Sequence, residues 1–432
     1  MNAPSTLDHA AATGARSGGC PFHQGAQSGA ASGLLDFPAS RSPAQPFLPP
    51  PEILGLHQGG TELTRVRIWD GSTPWLLLSH EAQRKIMSDP RASANDHLPN
   101  FPYMNRAIAE TIHQRPKTIF DTDGEEHARL RRILTNSFAR HRMEKIRPQI
   151  LQTTNNLIDK MLAGPKPADL VESLALPLPS LMICDLLGVP YEDHEFFEQH
   201  AKVANARDTS PEESNRSTRA LGEYIGGLIA KKTQTPEEDV ASDLAARVKS
   251  GELDMPGAVM LGIILLIAGH ETSANMITLG TALLLDNPEQ LALVRDSEDP
   301  RVVAGAVEEL LRYLTIAHLL QRRIALEDIE YKGQVIRAGE GIISALPAAN
   351  FDPVAFPDPT RVDVTRDARQ HHAFGWGPHQ CIGQQLARIE LQVVYPTLLR
   401  RIPTLQLGVP LSELRFKHDS LAYGIESLPV TW

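Results

Sequence analysis

Three groups of residues in this 432-residue chain have types and spacings that could do chemistry. The first is Phe374-Gly-Trp-Gly-Pro-His-Gln-Cys381-Ile-Gly383, followed by Gln384-Gln-Leu-Ala-Arg-Ile-Glu-Leu-Gln-Val-Val, a run of good helix formers. A sulfur at the start of a helix meets unsatisfied N–H groups and the positive end of the dipole, which favour thiolate over thiol. The thiolate is the form that ligates a metal. Gly377 and Gly383 bracket Cys381 and let the backbone approach a flat ligand closely. A cysteine alone in a glycine-containing loop is as often inert and buried, so the surrounding pattern has to decide.

The second group is His127 and Arg131, four residues apart on the polar side of the segment Glu126–Phe138, in which Leu130, Ile133, Leu134 and Phe138 fall at helical spacing. Two donor side chains on one face suit a carboxylate-bearing ligand. The third is Gly269-His270-Glu271-Thr272-Ser273, which continues the run Ala258–Ala268. That run is apolar all round and so reads as a buried helix. An acid beside a hydroxyl there is costly unless hydrogen-bonded or functional. The Thr272 hydroxyl can compete for the carbonyl of Ala268 and loosen the helix locally. His270 reads as structural.

The ten-residue cysteine segment fills every specified position of Phe-x-x-Gly-x-x-x-Cys-x-Gly, and the chain resembles the cytochrome P450 family from about Pro50 to Trp432. The resemblance is nearest to the family's soluble bacterial members. It implies haem b held through a thiolate of Cys381, which pushes electron density onto the iron and favours O–O cleavage. It also implies that Glu271 and Thr272 deliver protons to the dioxygen being activated. Phe374, Gly377, Gly383 and Ala268 count among the cofactor-contacting positions, and His127, Arg131, Arg323 and His379 among the propionate holders. Arg322 is adjacent to Arg323, and only the register of the following Ile-Ala-Leu-Glu-Asp run favours Arg323. Glu309 and Arg312 sit three apart and match a structural pair of the family, whose third arm is expected at Arg361 in Pro359-Thr-Arg361-Val362. The family usually has Phe where Val362 stands.

These residues need a scaffold. Residues 1–48 are rich in Ala, Gly, Ser and Pro without periodicity and read as a flexible tail, Cys20 included. Residues 49–432 read as one large domain, mainly α with a small β region, consistent with the P450 fold. Strands are expected at Thr64–Trp69 and Pro74–Leu78, joined as a hairpin by Asp70-Gly71-Ser72, and around Ile329–Tyr331, Gln334–Ile336 and Gly341–Leu346. A last hairpin is expected to end at Trp432. Cys184 lies in an apolar helical run and reads as a small buried hydrophobe.

The net charge of −10 argues against nucleic acid as a partner. Three distant cysteines draw no disulfide framework, and Ala258–Ala268 is shorter than the roughly 20 residues of a membrane span, so a cytoplasmic protein without a membrane is expected. No Gly-x-Gly-x-x-Gly fingerprint follows a strand, so electrons must come from outside; by analogy the donors are a ferredoxin and its reductase, docking on the cysteine-loop side. The activity implied is insertion of one atom of O2 into a medium-sized apolar substrate, in secondary metabolism or xenobiotic oxidation. The segment 95–113, the stretch after Asn205 and Ile316–Leu320 are expected to line the substrate pocket. A nitric oxide reductase using NAD(P)H directly is the alternative; the acid at Glu271 and the lack of Lys or Arg in Ala92–Pro102 weigh against it. A non-enzymatic haem sensor is a second alternative, against which the intact acid–hydroxyl pair counts.

Overall fold

The expected hairpin forms the middle of a six-stranded sheet. Its strands are β1 (Leu35–Asp36), β2 (Leu63–Arg67), β3 (Trp75–Leu77), β4 (Ala92–Ser93), β5 (Arg322–Ala325) and β6 (Gly341–Ser344), in the order β1-β2-β3-β6-β5-β4. Leu63 faces Leu77 across the antiparallel β2–β3 pair, and β6 runs parallel to β3 and antiparallel to β5. The computed structural model describes residues 33–114, 117–205, 210–418 and 420–432. The Cys20 segment and the four residues directly after Asn205 lie outside them.

The boundary expected at residue 48 comes too late. β1 pairs in parallel with β2, Phe37 and Phe47 are buried, and Arg41 donates to the carbonyls of Phe47 and Leu314. The segment is anchored by a few separated residues, so it carries no periodicity for a sequence reading to detect. At the other end, Pro429–Thr431 pairs with Gln406–Leu407 and with Ala168–Asp169. The C-terminal hairpin is therefore replaced by a three-stranded sheet drawing on distant segments. A local bridge joins Phe416 and Ile425.

The helices that position the candidate site are α1 (His80–Met87), α2 (Gly124–Thr135), α3 (Arg140–Ala163), α4 (Pro177–Leu187), α5 (Pro211–Lys232), α6 (Met255–Asp286), α7 (Pro300–Leu314) and α8 (Gln384–Arg401). Their starts are encoded locally: Ser79 caps α1, a Ser210–Glu213 capping box opens α5, and Asp254 with Pro256 opens α6. α6 is long and apolar enough by composition to cross a bilayer, longer than the Ala258–Ala268 run suggested. Its buried side chains pack instead against α4, α5 and α8. α8 in turn lies on α3, and the main core runs through all of these helices, Cys184 included.

Candidate active site

The cysteine loop is fixed by its own backbone. The Cys381 N–H donates to the Phe374 carbonyl at 2.9 Å. Gly377 adopts φ +81°, and a Cβ there would overlap the Met87 carbonyl, so no other residue fits. Cys381 has exposed surface, yet the protein crowded around its sulfur pushes the thiol up, while the N–H groups of Gly383 and Gln384 and the guanidinium groups of Arg131 and Arg388 act the other way. A metal cation completes that direction, because a coordinating thiol is deprotonated outright. Arg388 also stacks 4.6 Å over Phe374 and grips Glu308 through bonds of 2.7 and 3.1 Å. His371 reaches the same carboxylate at 3.0 Å. Burial alone would raise the Glu308 carboxyl, but these two partners hold it down at about 2.

A cluster of donors gathers beside the loop. His127 of α2 stacks on His379 with ring centroids 3.9 Å apart. Burial, then the nearby His379 and Arg131, pull His127 down to about 4, so it is neutral at pH 7. Arg323 of β5 is 5 % exposed and Arg322, beside it, is partly buried. One nitrogen of Arg323 donates to the Arg322 carbonyl at 2.7 Å, and among the described residues the buried Nη2 has no hydrogen-bond partner. Burial lowers that guanidinium to about 10 and also lowers Arg131. Among the described residues, the carboxylate that meets these groups is Asp123, 3.4 Å from His379 Nε2. Burial works to raise it, but bonds from His379, Ser93 and the Ala94 N–H hold it well below the usual range. Donors outnumber acceptors here, and an anionic ligand would balance them. Haem fits both halves of the site: a metal for Cys381 and carboxylates for Arg131, Arg323, His127 and His379.

On α6 the Thr272 hydroxyl donates to the Ala268 carbonyl at 2.8 Å, as expected, yet the helix continues unbroken from Met255 to Asp286. Glu271 is 38 % exposed at its side chain and lies 3.2 Å from Lys417 Nζ. His270 is buried. Ser273, next in line, donates at 2.6 Å to Glu390 of α8 and so ties this stretch to the helix that follows the cysteine.

The Glu309–Arg312 pair is fully buried and bidentate, at 2.7 and 2.8 Å. Its third arm is Arg366, 3.2 Å from Glu309, and not Arg361, which is exposed. Arg366 also donates to the carbonyls of Pro357, Asp358 and Arg361, so the expected Arg361 contributes backbone in place of side chain. Sequence reasoning also missed Asp123, Glu308 with Arg388, Glu390 and Lys417. Of these, Asp123 alone had a nearby signal, four residues before His127.

A model of the cytochrome P450 family matches residues 212–405. The chain is 54 % identical over 403 residues to cytochrome P450 CYP105Q4 of Mycobacterium marinum, covering 93 % of this chain and 97 % of that one. It is 41 % identical over 397 residues to vitamin D3 dihydroxylase of Streptomyces griseolus, covering 92 % and 96 %. The crystal structure of GfsF matches with a TM-score of 0.87 at 50 % identity, covering 92 % of this chain and 100 % of that chain. With likeness of that extent in both sequence and fold, the chain belongs to the cytochrome P450 family and is a haem-thiolate monooxygenase of bacterial type.

Proposed function

We propose that this monooxygenase inserts one atom of O2 into a medium-sized apolar organic molecule, by hydroxylation or epoxidation, in the cytoplasm. The observation that carries the reading is the Cys381 sulfur receiving the Gly383 and Gln384 N–H groups beside a cluster of under-compensated donors. When bound, haem supplies the oxygen-activating chemistry, and the protein orients the substrate and excludes water. Cys381 ligates the iron, while His127, Arg131, Arg323 and His379 hold the propionates. Thr272, whose hydroxyl rests on the Ala268 carbonyl, directly follows Glu271 with its solvent-reaching carboxylate along α6, a pair suited to passing protons inward. The apolar substrate class is supported by the relative named as a vitamin D3 dihydroxylase.

Electrons come from a ferredoxin and its reductase. A surface groove of about 510 Å³ beside the cysteine loop is lined by Arg84, Lys85, Trp376 and Glu81, the acid being paired with Lys332 and the Arg84 guanidinium lying 4.4 Å over the indole. Two cations beside that loop suit an acidic donor, whose association would weaken with salt. The test of the whole reading is optical. The reduced protein under carbon monoxide should show the strongly red-shifted absorption of thiolate ligation, and Cys381→Ala should lose it. A wild-type protein without that band refutes the assignment. A screen of compounds for spin-state changes then narrows the substrate.

A further inference from the structure

Lys417 has no part in the chemistry described so far, yet it reaches α6 beside Thr272. Its Nζ lies 3.2 Å from Glu271 Oε1 and 3.2 Å from Asn275 Oδ1. Glu271 and Asn275 are one turn apart on α6, so a single cation engages both. The segment that delivers Lys417 is fixed in place. Its N–H donates to the Gly424 carbonyl at 2.8 Å, and Phe416 bridges Ile425. A Cβ on Gly424 would overlap the Asn275 amide, so this segment can sit so close to α6 only because that residue is glycine.

The pair is neither a surface contact nor a sealed one, with 21 % of the Lys417 and 38 % of the Glu271 side chain exposed. His270 also acts on this region; it is buried, and burial pulls it down, so it is neutral at pH 7 and leaves Lys417 as the cation. A carboxylate that carries protons has to rest in one place, charged and open to water. A cation anchored on a separate element sets that resting place without blocking it. We infer that Lys417 is a positioning residue for Glu271, holding its carboxylate turned toward the Phe416–Ile425 bridge between turnovers. The inference rests on the reading of Glu271 as a proton carrier.

The test uses the holoenzyme, driven by NADPH through a [2Fe–2S] ferredoxin and its reductase, with hydrogen peroxide released per NADPH oxidised as the readout of failed proton delivery. Lys417→Met should raise that yield by roughly threefold, the scale of a part-buried ion pair, and Lys417→Arg should restore it. In a Glu271→Gln background, Lys417→Met should change nothing further. Separately from activity, urea midpoints of the resting ferric protein should be non-additive across the Lys417→Met and Glu271→Gln cycle. An unchanged yield in Lys417→Met where Glu271→Gln raises it overturns the inference alone. So does an equal effect of Lys417→Met in both backgrounds, or an additive cycle. An unchanged yield in Glu271→Gln removes the proton role of Glu271, and the role of Lys417 falls with it.

Discussion

Replacing Glu390 by Gln should make the protein relatively more stable as pH rises. Glu390 lies on α8, 1 % exposed, and accepts the Ser273 hydroxyl at 2.6 Å. Burial, opposed by that one hydrogen bond, raises its carboxyl from 4.5 to about 7. Below pH 4.5 the group is protonated both folded and unfolded and adds no pH dependence. Between 4.5 and about 7 the folded protein keeps a proton that the unfolded chain has released, so stability falls as pH rises, and above about 7 the penalty is complete. At about 1.36 kcal/mol for each tenfold change in proton affinity, the full penalty is about 3 kcal/mol. An unfolding entropy of about 2.1 cal/mol/K per residue over roughly 400 residues makes that about 4 °C in Tm. Gln keeps an acceptor for Ser273 but buries a new N–H pair, a constant cost of about 1–3 kcal/mol. The diagnostic quantity is therefore the difference in Tm between variant and wild type, followed from acid to mildly alkaline pH by calorimetry of the holoprotein. It should climb by about 4 °C in favour of Gln and level off above neutrality. A flat difference would refute the account, since Glu390 would then bind its proton equally in both states.

Thr272→Ala should leave haem binding intact while a smaller share of NADPH electrons reaches product, measured as product formed per NADPH oxidised; unchanged coupling removes Thr272 from the proton path. Arg323→Met should speed haem transfer to an acceptor globin by about tenfold or more, the worth of a charged hydrogen bond lost at a propionate. Arg366→Ala should cost about 3 kcal/mol in urea denaturation because Glu309 is wholly buried, whereas Arg361→Ala should stay within about 0.5 kcal/mol.

What the sequence made legible was what is local along the chain. The cysteine loop is ten consecutive residues, and His127 with Arg131 is an i,i+4 pair, so spacing alone puts each set together. Between Arg322 and Arg323 the sequence offered only the register of the following Ile-Ala-Leu-Glu-Asp run, and β5 buries Arg323 the more fully. What stayed hidden depends on long-range packing. Ser273 meets Glu390 117 positions away, and Lys417 meets Glu271 146 positions away. Arg361 and Arg366 are both arginines in one irregular loop, with no period to say which turns toward Glu309. The residues from Leu35 to Phe47 were assigned to the tail for the same reason: the few that anchor it meet distant partners, such as Val66 for Leu35 and Tyr423 for Pro46.

The placement of charge also explains why so many elements are needed to build this site. Arg131 comes from α2 and Arg323 from β5, beside His379 of the cysteine loop, which burial pulls toward its neutral form, and among the described residues Asp123 is the carboxylate that meets them. In a haem-free state that surplus costs stability, because a buried guanidinium with an unsatisfied nitrogen has lost water without gaining an anion. A ligand that binds the folded state and not the unfolded one returns free energy in proportion to its affinity. Strain of this kind, spread over elements far apart in sequence, therefore couples haem binding to the docking of the sheet, α2 and the loop. Holding the cofactor and holding the fold together become one equilibrium, and substitutions at these donors should change haem retention and unfolding midpoint together.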